Sequence, residues 1–228
     1  MNFEQCITNS ARPLPVFLLL DTSGSMADQG KIETLNQCVM EMIKDFKGER
    51  MAEIALKLCI ITFGGNKAKI HTPLTPLKDV EFKELDADGM TPMGDALEKV
   101  TEIINDKNQV TSKGYRPVVI LVSDGYPNDN WEKPLDEFVN GKRTSKCDKW
   151  ALGIGDGCDR EMLQQFLGSD NEKKVFDASA ATEISRFFKL VTFSTIARTK
   201  SQDPNSIINL SEIEKQFDEE IPYFDFGL

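Results

Sequence analysis

Two stretches of the chain are apolar at every position, Val16-Phe17-Leu18-Leu19-Leu20 and Val118-Val119-Ile120-Leu121-Val122. A strand with one wet face alternates polar and apolar residues, whereas a strand covered on both faces does not. Both runs are therefore expected to be inner strands of a sheet held between helices. Between them the period changes. Ile32, Leu35, Val39, Met42, Ile43 and Phe46 recur at spacings of three and four, as do Met93, Ala96, Leu97, Val100, Ile103 and Ile104. Each set predicts a helix with one apolar face, the first stopping near Lys47-Gly48. Ala55 to Phe63 is rich in β-formers and ends at Gly64-Gly65, and Lys69 to Thr72 is expected to pair with it across that turn as a short edge strand. Further on, the pattern predicts a short helix over Trp131 to Val139, a strand over Lys149 to Ile154, a helix over Arg160 to Leu167 closed by Gly168, a last short strand at Val175-Phe176 and a long helix over Ala181 to Arg198. Strands alternating with helices give an α/β fold class: a doubly wound, mainly parallel sheet with one antiparallel edge strand and helices on both faces. Such sheets bind ligands outside the carboxyl ends of their strands.

Both apolar runs end in oxygen-bearing side chains at that edge. The first runs into Asp21-Thr22-Ser23-Gly24-Ser25 and the second into Ser123-Asp124-Gly125, while Thr91 stands at the N-terminal boundary of the second helix. Asp21, Ser23, Ser25, Thr91 and Asp124 together supply two carboxylates and three hydroxyls from three loops. Oxygen donors without imidazole or thiolate suit Mg²⁺, Mn²⁺ or Ca²⁺ rather than zinc or copper, with magnesium or manganese favoured. Magnesium keeps several waters, so a few protein oxygens leave one position open for an incoming carboxylate. Gly24, Gly89 and Gly125 are expected to keep the three turns tight. Asp129 is expected to cap the helix that begins near Trp131. Gly153, Gly155 and Gly157 imitate a nucleotide-binding loop, but Cys158 follows where a third spaced glycine is needed, so an ordinary turn is expected there.

Charge and composition narrow the function. A formal net charge of −10 opposes nucleic-acid backbones. No apolar run reaches the ~18 to 20 residues of a spanning helix, and Met1 to Pro15 lacks a basic start followed by an apolar core, so a cytoplasmic protein is expected. Five cysteines, an odd number without C-x-x-C spacing, read as buried reduced thiols. His71, the only histidine, lies in a turn-prone segment and reads as a surface residue, which leaves little material for a histidine-based triad. The length suits one domain, placed at residues 13–200, after a lead-in of 1–12 and before an acidic, aromatic tail of 201–228. The tail has two possible uses, docking on its own domain or presenting a linear segment to a partner.

The segments D-T-S-G-S at 21 to 25, G-M-T-P-M-G-D-A-L at 89 to 97 and V-S-D-G-Y-P-N-D at 122 to 129 resemble the three parts of the metal-ion-dependent adhesion site (MIDAS) of von Willebrand factor type A domains. The resemblance spans roughly Pro13 to Arg198. It implies a Rossmann-like fold, hydroxyl ligands at Ser23, Ser25 and Thr91, and carboxylates at Asp21 and Asp124 that bind directly or through water. Within that family the second and third loops are similar to bacterial TerY-type tellurite-resistance proteins. That likeness implies a cytoplasmic adaptor acting beside a protein kinase and a PP2C-type phosphatase.

Two other functions remain open at this point. One is a metal-dependent phosphatase with Asp21 as nucleophile, although the second acid such enzymes place two residues later is here Ser23. The other is a regulatory protein phosphorylated at Thr195, Thr199, Ser201, Ser206 or Ser211 and read by a partner domain. An oxygen-only site with no nucleophile and base pair favours a non-catalytic module whose metal accepts a partner's Asp or Glu.

Overall fold

The computed structural model describes residues 12–48, 55–168, 174–200, 205 and 209–220. Six strands, β1 (Pro13–Asp21), β2 (Ala55–Gly64), β3 (Lys67–Pro76), β4 (Val118–Ser123), β5 (Asp148–Ile154) and β6 (Phe176–Ala178), form one sheet in the order β3-β2-β1-β4-β5-β6. All neighbours are parallel except β2 and β3. The chain builds one half of the sheet outward from β1 and then crosses back to lay β4 on its other side. The reversal opens a crevice between the carboxyl ends of β1 and β4.

Among the described residues the α-helices are α1 (Lys31–Gly48), α2 (Met93–Asn105), α3 (Glu132–Asn140), α4 (Arg160–Leu167) and α5 (Ala181–Lys200), with α6 (Leu210–Glu220) packed on α5. Along β1, Leu14, Val16, Leu18 and Leu20 pack with α1 and α5, whereas Phe17 and Leu19 pack with α2 and α4. The uniform apolar run is thus two alternating faces, each with its own core. Burying each such side chain contributes about 1.5 to 3 kcal/mol. This rigid middle strand is what holds Asp21 in place.

Several elements differ from expectation. β3 runs for ten residues rather than Lys69 to Thr72, because Pro73 and Pro76 are tolerated on an edge strand that needs donors on one side only. His71 is consequently part of a strand, half-buried and tilted against Phe82 at 5.7 Å, and burial lowers its pKa; it is not a plain surface residue. The last strand is Phe176–Ala178, one residue later than Val175-Phe176, since register with Leu152 to Ile154 decides it. Residues 210–220 form α6, whose Ile213 and Phe217 join the core, with Phe217 edge-on to Phe193 of α5 at 5.8 Å. This part of the tail docks on its own domain; Tyr223 and Phe224, like the lead-in 1–11 with Cys6, lie outside the described residues. The other four cysteines are free and buried, and burial pushes Cys38 up to about 11 and Cys59 and Cys147 up to about 12. Among the described residues no helix is long and apolar enough to cross a membrane.

Candidate metal centre

Three loops meet at the crevice, and backbone hydrogen bonds tie them together. The Thr22 N–H donates to Phe63 O at 3.0 Å, Asp88 N–H to Thr22 O at 2.8 Å, and Gly24 N–H to Gly89 O at 3.0 Å. Gly65 and Gly89 form an isolated parallel bridge, with Met90 N–H donating to Gly65 O at 2.9 Å. Here a glycine is required. Gly89 has φ +71°, and a Cβ on it would lie 2.5 Å from Gly65 Cα, so the second loop closes on the first only because that side chain is missing.

The third loop locks to the second through Asn128 and Asp129. Thr91 N–H donates to Asn128 Oδ1 and Asn128 N–H to Thr91 O, both at 3.2 Å. Both oxygens of Asp129 accept at 3.0 Å, from Gly94 N–H and Asp95 N–H. Asp129 therefore caps α2, not the helix after Trp131. An anion at the first turn of a helix satisfies donors that have no intrahelical partner, and spatial neighbours outrank sequence neighbours in supplying it.

All five predicted residues face this crevice. Asp21 is 0% exposed; its Oδ1 accepts the Ser23 N–H at 2.8 Å and its Oδ2 the Ser123 hydroxyl at 2.6 Å. Burial pushes Asp21 up to about 6, against the lowering effect of those hydrogen bonds and with a smaller upward push from the charge of Asp124. Ser23 Oγ and Ser25 Oγ are 3.1 Å apart, and the Ser25 hydroxyl donates to Asp124 Oδ1 at 2.7 Å. The Lys31 ammonium donates to Asp124 Oδ2 at 2.6 Å and to Ser25 O at 3.3 Å. Thr91 Oγ1 and Ser25 Oγ both lie near the bare Cα of Gly125. A Cβ on Gly125 would stand 3.7 Å from the first and 4.0 Å from the second.

This donor set fits a hard divalent cation. Three hydroxyl oxygens and two carboxylates converge, and the glycine leaves a space that a methyl group would fill. Among the described residues no cluster of three or more His, Cys, Asp or Glu is placed to hold a metal. Gly24 and Gly125 thus differ in purpose from Gly89. Gly24 brings its N–H to Gly89 O, and Gly125 keeps the cradle open.

Sequence reasoning passed over Ser123 and Lys31. The signal for Ser123 is register: Leu20 pairs with Val122, so the next residue on β4 stands beside Asp21. Nothing in the linear pattern marks Lys31, whose partner Asp124 lies 93 positions away in the chain. The turn of Gly153 to Gly157 packs against this loop, with a Cβ on Gly157 3.2 Å from Asp124 O.

A family profile described as von Willebrand factor type A domain matches residues 16–190. No curated protein matches by sequence. Among solved structures, proximal thread matrix protein 1 from the mussel byssus is similar at 20% identity and TM-score 0.61, over 80% of this chain and 48% of that one. Another structure of that mussel protein has a zinc-occupied MIDAS motif; it matches at 18% identity and TM-score 0.59, over 80% and 45% of the two chains. The pilus adhesin SpaC from Lactobacillus rhamnosus GG, in its open conformation, matches at 15% identity and TM-score 0.59, over 80% of this chain and 30% of the adhesin. At these identities the likeness is one of fold, and the chain spans less than half the length of each of these structures.

Proposed function

The chain belongs to the von Willebrand factor type A domain family, and from that premise we propose that it is a divalent-metal-dependent protein-binding module. Ser23, Ser25 and Thr91 hold Mg²⁺ or Mn²⁺ through their hydroxyls, Asp21 and Asp124 support it directly or through water, and a partner's Asp or Glu completes its coordination. The observation that carries this reading is the meeting of the Ser23, Ser25 and Asp124 oxygens, with Thr91 Oγ1 brought near them beside Gly125. An ion held mainly by neutral hydroxyls keeps most of its positive charge, which suits it to attract a carboxylate. The rim suits protein contact as well. Met90 is 54% exposed and Tyr126 65%, each within two residues of a proposed ligand, where an apolar partner side chain can pack beside the incoming acid.

We place the module at residues 13–200, with the tail from 201 outside it and α6 held against α5. On the strength of the T-P-M-G-D-A-L and S-D-G-Y-P-N-D loops, we further propose a cytoplasmic adaptor beside a protein kinase and a PP2C-type phosphatase in a tellurite-resistance or stress-linked system. The test is Mg²⁺ titration by calorimetry, followed by pull-down of that kinase and phosphatase with and without chelator. Ser23→Ala and Asp124→Ala are expected to abolish both signals, and Mg²⁺-dependent capture that survives both substitutions overturns the reading.

The phosphatase alternative has less support. Asp21 is fully buried and held by the Ser23 N–H and the Ser123 hydroxyl, and the position two residues on, where such enzymes place a second acid, is Ser23. Turnover of p-nitrophenyl phosphate that Asp21→Asn abolishes would reverse this preference. For a phosphorylated regulator, Thr195 is a poor acceptor because it is buried and its hydroxyl donates to Val191 O at 2.7 Å. Thr199 likewise donates to Ile196 O at 2.6 Å, Ser211 is exposed, and Ser201 and Ser206 lie outside the described residues.

A further inference from the structure

Lys31 is a feature of the crevice that a cation site does not call for. It is the first residue of α1, its side chain is 19% exposed, and its ammonium lies 2.6 Å from the proposed ligand Asp124 and 3.3 Å from the Ser25 carbonyl. A cation beside a cation site repels the ion it is meant to hold, and a lysine in the first helical turn also opposes the helix dipole. Both costs fall on ion binding and on the helix, so a gain must lie elsewhere.

Resting on the metal-binding reading above, we infer that Lys31 is a built-in counter-charge that weakens ion binding and makes the loaded site selective for an anionic partner. The balance of formal charges gives the reason. Asp21 and Asp124 contribute two negative charges and a divalent ion cancels them, so without Lys31 a loaded site is neutral. With Lys31 it carries one net positive charge, and a single carboxylate from the partner brings the assembly to neutrality. The lysine also occupies Asp124 Oδ2, which leaves Oδ1 on the Ser25 hydroxyl and limits how much carboxylate charge reaches the ion. The ion is held less tightly and attracts the partner more strongly.

The test uses the full chain and two small probes. Mn²⁺ affinity is read by electron paramagnetic resonance of the free ion, and acetate binding to the Mn²⁺-loaded protein by the fall in water-proton relaxation as acetate displaces bound water. Lys31→Met keeps the aliphatic stem and removes the charge. It is expected to bind Mn²⁺ about tenfold more tightly and to need about tenfold more acetate for half-displacement at low ionic strength. Lys31→Arg should retain wild-type behaviour in both. Lys189→Met makes the same charge change at a lysine of α5 that pairs with Glu41 and Asp45 of α1, and should leave both readings unchanged. If Lys31→Met folds poorly by circular dichroism, Lys31→Gln takes its place. Mn²⁺ binding by wild type with either reading unmoved in the charge-removing variant overturns the role of Lys31 and leaves the metal site standing. No Mn²⁺ binding by wild type overturns both.

Discussion

β1 and β4 lie side by side and parallel, and each delivers an aspartate to the same edge of the sheet, yet the two carboxylates have different neighbours. Asp21 is held by neutral donors, a backbone N–H and the Ser123 hydroxyl, in full burial that pushes its pKa up to about 6. Asp124 is held by a hydroxyl on one oxygen and an ammonium on the other. One strand end pairs its charge with an ammonium and the other is held by neutral donors alone. Two similar tripeptide-scale patterns thus acquire separate roles from the elements packed against them: Asp21 organises the first loop, and Asp124 links that loop to α1.

The largest effect on this comparison is expected from filling the cradle both ends share. Gly125→Ala sets a methyl group 3.7 Å from Thr91 Oγ1 and 4.0 Å from Ser25 Oγ, and should lower Mg²⁺ affinity about a hundredfold by calorimetry while the fold is retained, since the glycine is not at positive φ. Next, Ser123→Ala strips Asp21 of a donor without touching Asp124. A buried acceptor left unpaired costs about 2 kcal/mol. For a chain of this size that corresponds to a fall of about 4 to 8 °C in melting temperature by circular dichroism.

The pH dependence separates the two carboxylates with a smaller effect. On the proposed reading ion capture needs ionised Asp21, which takes up a proton as pH falls through about 6, so Mg²⁺ affinity should drop about tenfold between pH 7 and pH 5. The sign for stability without the ion is opposite. The folded value lies above the ordinary 3.8, so the contribution of Asp21 is greatest below that value and is lost as pH rises through about 6. Added Mg²⁺ should therefore raise the melting temperature more at pH 7.5 than at pH 5. The smallest effect belongs to the third loop, which has an α2 cap that the first loop lacks. Asp129→Ala should cost about 1 kcal/mol in urea denaturation, with little change in ion affinity.

Much of this was legible along the chain, and the reason differs from element to element. The unbroken apolar runs of β1 and β4 required two covered faces, and the three- and four-residue spacing of α1 and α2 required one, because burial dictates both periods. α6 was missed because its apolar face is only Leu210, Ile213 and Phe217 in an acidic segment, and what makes it a helix here is the surface of α5 that it covers. β3 was cut short because its prolines argue against a strand unless the strand is known to lie at an edge.

The sequence by itself determined the chemistry of the site. Asp21, Ser23, Ser25, Thr91 and Asp124 carry oxygen donors whatever the fold does with them. Only the tertiary structure decided how the charges are paired. That Ser123 serves Asp21, that Lys31 serves Asp124 and that Asp129 caps α2 depends on strand register and loop closure between residues 35 to 102 positions apart. Coulombic and hydrogen-bond energies fall with distance in space, and distance along the chain carries no record of it.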